Sequence, residues 1–251
     1  NALFPSPVQG NTVFRTDLGY MERYYTTYDS VTNPSGTNGT VGWYEYRGGA
    51  PLSENKIING DFGINQRGAA SYAHTSIVRY GLDRWAVFRG AYTVGLTSSR
   101  QASTVSGTSY ALRVQRDAGN TSTQYITLTQ GIESINSADL TGNTVTFSFW
   151  ARAGANFSAV SSAITAQLDT ATAEASPGAG MTGYVNVGQT TFNITTSWAR
   201  YSLTAAVPST QTFISPVLTY TPVGTAGTND YFEVTGVQLE KGGVATSFRR
   251  N

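Results

Sequence analysis

Aromatic rings are the side chains of this sequence best suited to chemistry. It carries 15 Tyr, 11 Phe and 4 Trp but one histidine and no cysteine, a balance that favours recognition over catalysis. A flat ring can stack on the apolar face of a sugar while polar neighbours fix its hydroxyls. Trp85, Trp150 and Trp198 fall within expected strands, where tryptophan is ordinarily core. Trp150 has the parity opposite to Phe147, so it faces away from the core and is the tryptophan expected at the surface. Tyr72, Tyr80, Tyr92 and Tyr184 stand near loops and complete the set expected to meet a carbohydrate.

Other chemistries have less to draw on. The lone His74 sits in a Ser/Ala-rich stretch, and nothing in the sequence resembles a nucleophile elbow, so no Ser-His-Asp triad is expected. Histidine clusters and cysteine-ligated zinc are excluded by the counts. Glycoside hydrolysis needs two carboxylates flanking a cleft. Of 15 acidic residues, most fall at turns or strand edges, and no segment places two on one strand face. Asp83 and Glu133 are the pair left open. The formal net charge of +1 leaves no basic footprint for nucleic acid. No apolar run approaches the roughly 20 residues that span a bilayer, so membrane insertion is not expected.

The elements that would position these groups are short strands. In 143–150, Val145, Phe147 and Phe149 fall on one face. In 110–116, Leu112 and Val114 point one way and Arg113 and Gln115 the other. Strands are expected at 83–89, 92–101, 110–116, 123–130, 143–153, 161–169, 184–187, 198–206, 213–221 and 230–239. Polar turns about ten residues apart predict an all-β fold, an antiparallel β-sandwich. Residues 63–82 and 170–183 read as long loops. Residues 1–50 read separately, as a small β-meander of three aromatic-rich strands with a turn at Asp17-Leu18-Gly19. Gly48-Gly49-Ala50-Pro51 reads as the linker, giving domains 1–50 and 51–251.

Two resemblances carry further expectations. Gly10-Asn11-Thr12-Val13-Phe14-Arg15-Thr16-Asp17-Leu18-Gly19, closing at Gly42-Trp43-Tyr44, resembles a short module of bacteriophage tail-fibre and other virion proteins, with a longer insert at 26–41. Asn59-Gly60-Asp61-Phe62, Gln66-Arg67-Gly68, Asp83-Arg84-Trp85 and the ending Val237-Gln238-Leu239-Glu240-Lys241-Gly242 resemble phage surface proteins built on the jelly roll of family-4 and family-9 carbohydrate-binding modules. That resemblance implies that the first and last strands pair, and that Asp83 and Arg84 pair beside a half-buried Trp85. It also implies a structural calcium held by Asn59, Asp61 and Glu233. The chain departs from the pattern at Gly63 and at Thr235-Gly236, and the alternative is that Asp61 caps a turn. Otherwise no cofactor is expected.

The function implied is that of a non-enzymatic virion protein, of tail-fibre, head-fibre or decoration type. It would be a homotrimer, joined to other virion proteins through residues 1–50 and displaying a jelly roll to host-surface glycans. The alternatives are a purely architectural virion connector and an accessory module of a polysaccharide depolymerase.

Overall fold

The computed structural model describes residues 54–75, 78–90, 95–174 and 180–251, together with the backbone of three strands in the first 46 residues. The chain divides into two units, Asn1–Ser53 and Glu54–Asn251. In the first, β1 (Thr12–Arg15), β2 (Tyr20–Tyr25) and β3 (Gly42–Tyr46) form an antiparallel sheet in the order β1-β2-β3, a meander.

The second unit is a jelly-roll sandwich. Its strands are β4 (Ser71–Ala73), β5 (Val78–Tyr80), β6 (Ala86–Arg89), β7 (Leu96–Ala102), β8 (Tyr110–Arg116), β9 (Ile126–Thr129), β10 (Thr144–Ala153), β11 (Ala163–Ala171), β12 (Val185–Asn193), β13 (Ala199–Ala206), β14 (Phe213–Tyr220) and β15 (Tyr231–Lys241). One helical turn, α1 (Ser134–Ser137), joins β9 to β10. Sheet I runs β13-β10-β15-β8-β7-β4 and sheet II runs β12-β11-β14-β9-β6-β5, with every pairing antiparallel. Among the described residues no helix is long and apolar enough to cross a membrane.

Alternation explains the core. Val145, Phe147 and Phe149 of β10, with Leu112 and Val114 of β8, meet Ile164, Ala166 and Leu168 of β11 and Ile214 and Leu218 of β14 between the sheets. Burying one such side chain stabilises the fold by roughly 1.5–3 kcal/mol. Strand β15 breaks the alternation, since Phe232 and Val234 share the core with Val237 and Leu239. A bulge opposite β10 restores the phase. It turns on Gly236, whose φ of 58° is favoured only for residues lacking a side chain.

The start of the second unit meets the last strand, though not as a paired strand. Strand β8 accompanies β15 only from Tyr231 to Val234. Beyond the bulge the segment after Glu54 takes over: Lys56 N donates to Leu239 O (2.8 Å), and Val237 N donates to Gly60 O (2.9 Å). The Asn55 side chain reinforces this, accepting from Leu239 N (3.1 Å) and donating to Val237 O (3.2 Å) and Arg249 O (2.8 Å).

The outer face of sheet I is also covered. Residues 242–250 fold back across it. Thr146 Oγ1 donates to Gly242 O, Glu240 accepts from Thr246 N and Thr246 Oγ1, and Gln238 Oε1 accepts from Arg249 N. Thr146, Ser148, Gln238 and Glu240 are therefore buried although they point away from the core. Beside them Glu233 is fully buried, and both of its oxygens accept from arginine: Oε1 from Arg113 (2.6 and 2.9 Å) and Oε2 from Arg152 (2.6 Å). Those guanidiniums in turn lie over the rings of Tyr231 (3.8 Å) and Trp198 (4.8 Å).

Several expectations need correction. Residues 63–82 contain β4 and β5 rather than loop alone, and the strand expected at 184–187 runs on to Asn193. Trp85 is 1% exposed, not half-buried, and its indole donates to Asn59 O at 3.1 Å. Asp83 and Arg84 do not pair: Asp83 Oδ2 accepts from Gln66 N (2.8 Å), and Arg84 bonds Glu133 (2.5 Å).

Candidate glycan-binding groove

Among the described residues of the second unit, nothing folds across the outer face of sheet II as residues 242–250 do across sheet I. The side chains opposite in parity to the core form a recess of about 460 Å³ across β11, β14, β9 and β6. Three strand spacings of about 4.8 Å make it roughly 14 Å wide, longer than a single sugar ring.

Among the apolar groups of the floor, such as Val217 and Phe213, polar side chains are tied together across strands. Thr129 Oγ1 donates to Pro216 O (2.9 Å), so Ser215 donates to Thr129 (2.7 Å) and keeps its own lone pairs as acceptors. Beside them, Gln167 on β11 donates to Gln189 on β12 (3.1 Å). At the β6 end, Phe88 and Tyr125 stack with centroids 5.5 Å apart and planes 20° apart. Tyr125 is 42% exposed, so this ring is available to a ligand.

At the β11 end stand Asp169, Tyr184 and Phe213. A register shift between Leu168 and Asp169 sets Asp169 opposite Asn186. Asn186 Nδ2 (2.9 Å) and the Tyr184 hydroxyl (3.1 Å) both donate to Asp169 Oδ1. Burial pushes the Asp169 carboxyl above its ordinary value, and these two bonds pull only partly against it. The Tyr184 phenol is raised in turn by its own burial and by the neighbouring carboxylate.

Of the aromatics expected to meet a sugar, the groove contains Tyr184, which is 53% exposed. Trp150 lies on the opposite sheet and packs over the bulge: a Cβ added to Gly236 would come within 3.1 Å of its Cδ1. Tyr72 is buried, with its hydroxyl on Asn65 Oδ1 and the Arg67 guanidinium 4.3 Å over its ring. Tyr80 is exposed on the edge strand β5, outside the groove. Tyr92 lies outside the described residues. Sequence reading missed Phe88, Tyr125, Phe213, Gln167 and Asp169. Their shared signal is outward parity on neighbouring strands, which shows only once strand order is known.

The residues expected to hold calcium do not fit a cation. Both Glu233 oxygens are taken by arginines, Asp61 Oδ2 accepts from Arg250 Nε, and Asn59 Oδ1 accepts from Ile64 N (2.9 Å). Among the described residues no group of three His, Asp or Glu side chains could hold a metal. Asp83 and Glu133, the acid pair left open, are engaged with Gln66 N and Arg84. His74 is buried with Nε2 2.8 Å from Ser98 Oγ. Burial and nearby arginines lower its pKa to about 4.

The chain matches no protein-family model, and no curated protein matches it in sequence. Among solved structures it is similar to the enzymatically active domain of bacteriophage CBA120 tailspike protein 4. The identity is 13% and the TM-score 0.43, with 74% of this chain and 21% of that one covered. It is also similar to CBM61 in complex with β-1,4-galactotriose (14%, TM-score 0.44, 76% and 100% covered). A third likeness is to the CBM22-1 xylan-binding domain of Paenibacillus barcinonensis Xyn10C (10%, TM-score 0.43, 78% and 100% covered). At these values the likenesses carry no conclusion about the ligand of this chain, which rests on the groove itself.

Proposed function

We propose that this is a non-catalytic glycan-binding protein that holds an extended oligosaccharide in the groove of sheet II. The observation that carries the reading is the placing of the exposed Tyr125 ring, stacked on the half-buried Phe88, at one end of a recess whose other end is Tyr184 and Asp169. Rings supply stacking area, and fixed hydroxyl, amide and carboxylate groups supply orientation. Among the described residues the recess is lined by a single carboxylate, Asp169, where the usual two-carboxylate glycosidase chemistry needs a pair.

The setting we propose is a phage virion, with residues 1–50 attaching the domain to other virion proteins, trimeric assembly, and host-surface glycan as the partner. The Phe14–Gly19 module and the order of motifs along the chain support this setting.

Affinity electrophoresis against host surface polysaccharides tests the binding. Retardation of the intact protein is expected, and Tyr125→Ala should weaken it about tenfold, the loss of roughly 1–1.5 kcal/mol of ring stacking. If no host glycan retards the protein and it does not block phage adsorption, the reading fails and an architectural connector takes its place.

A further inference from the structure

We infer that the groove prefers sugars bearing a free amino group and that Asp169 sets this preference. The inference rests on the glycan-binding reading above and adds the ligand's charge to it.

Asp169 differs from the other buried carboxylates. It is 9% exposed, hence more than nine-tenths buried. Asp61, Asp230 and Glu233 are each neutralised by arginine. Glu240 lacks an arginine, but both of its oxygens accept hydrogen bonds. Asp169 has neither arrangement. Two neutral donors converge on Oδ1, and among the described residues Oδ2 has no partner and no cation pairs with the group. A buried charge without a counter-charge is costly, and a ligand that supplies one recovers that cost.

The surroundings specify what the ligand should bring. Among the described residues no lysine, arginine or histidine lines the groove, so its complement is positive or neutral. An ammonium is a compact triple donor suited to Oδ2. The exposed ring of Tyr184 at the same end is a further group able to attract a cation. A uronate or sulfated sugar would set like charge against Asp169 and be rejected. The upward push on the Asp169 carboxyl fits a group waiting for a positive partner.

Calorimetry on the whole chain decides the matter, using glucosamine oligomers, N-acetylglucosamine oligomers and uronic-acid oligomers of equal length, below the pKa of the amine. The amino oligomer should bind at least about tenfold tighter than its acetylated counterpart, the worth of one charge-assisted bond, and the uronate weakest. Asp169→Asn, which keeps the shape and removes the charge, should erase the difference between the amino and acetylated oligomers. Equal binding of amino and acetylated oligomers by the unaltered protein would overturn the inference, and that comparison suffices should the variant fail to fold. A preference surviving Asp169→Asn would overturn it too, as would lysine oligomers binding as tightly as the amino sugar. If acetylated oligomers bind without an amino preference, this inference falls and the glycan-binding reading stands. If no oligomer binds, both fall.

Discussion

The Tyr184 hydroxyl donates to Asp169 Oδ1 across 3.1 Å, at one end of a groove whose lining, among the described residues, holds a single charged group. This bond favours the ionised carboxylate, while burial opposes it and prevails.

Tyr184→Phe should therefore raise the Asp169 pKa further, as followed by carboxyl carbon NMR shifts against pH. Because the folded-state value lies above the unfolded one, Asp169 contributes stability at low pH that is lost as pH rises through the folded pKa. At neutral pH, Asp169→Asn should leave the melting temperature equal or higher. Tyr184, whose phenol is raised above its ordinary value, stays neutral over this acidic range.

His74 behaves in the opposite sense. With its folded-state pKa lowered to about 4, its contribution is whole above the unfolded value near 6.5 and drains away as pH falls from there to about 4. Urea midpoints should drop across that window by an amount equivalent to a few kcal/mol. The drop should be absent in His74→Gln.

Arg116 and Asp230 are both fully buried and meet at 2.8 Å. The same guanidinium donates to Ser158 Oγ, Asn120 O, Ser122 O and Gly224 O, and Asp230 Oδ1 accepts from Ser158 N. The pair thus gathers three loops at one end of the sandwich. Asp230→Ala would leave the arginine buried and uncompensated. Chemical denaturation should show a loss of about 3–5 kcal/mol.

Gly236→Ala tests the bulge of β15. The new methyl group would have to accept a φ of 58° and a 3.1 Å approach to Trp150. A loss of about 1–3 kcal/mol is expected, together with a change in tryptophan fluorescence that Gly243→Ala, where an added Cβ meets nothing, should not produce.

What could be read in the sequence was whatever repeats within a few residues. Val145, Phe147 and Phe149 announce β10, and all three are fully buried. Leu112 and Val114 do the same for β8. The three-residue strands β4 and β5 carry too few alternations to stand out among Gly68, Ala69, Ala70 and Gly81. The groove was hidden for a different reason. Phe88, Tyr125, Asp169 and Phe213 come from separate strands and become neighbours only through the order β11-β14-β9-β6. Tyr184 was found because it flanks a loop, a local property. Burial of Thr146, Ser148, Gln238 and Glu240 was equally unreadable, since the cover comes from residues 242–250, whose composition gives no sign that they fold back.

That fold-back has a practical bearing on handling the molecule. Residues 242–250 lie against sheet I, and the groove opens on sheet II, the opposite broad side of the sandwich. A bead, dye or biosensor surface coupled through the carboxyl-terminal residues would leave the recess pointing outward, whereas coupling through Gln189 or Tyr184 would bury it against the support.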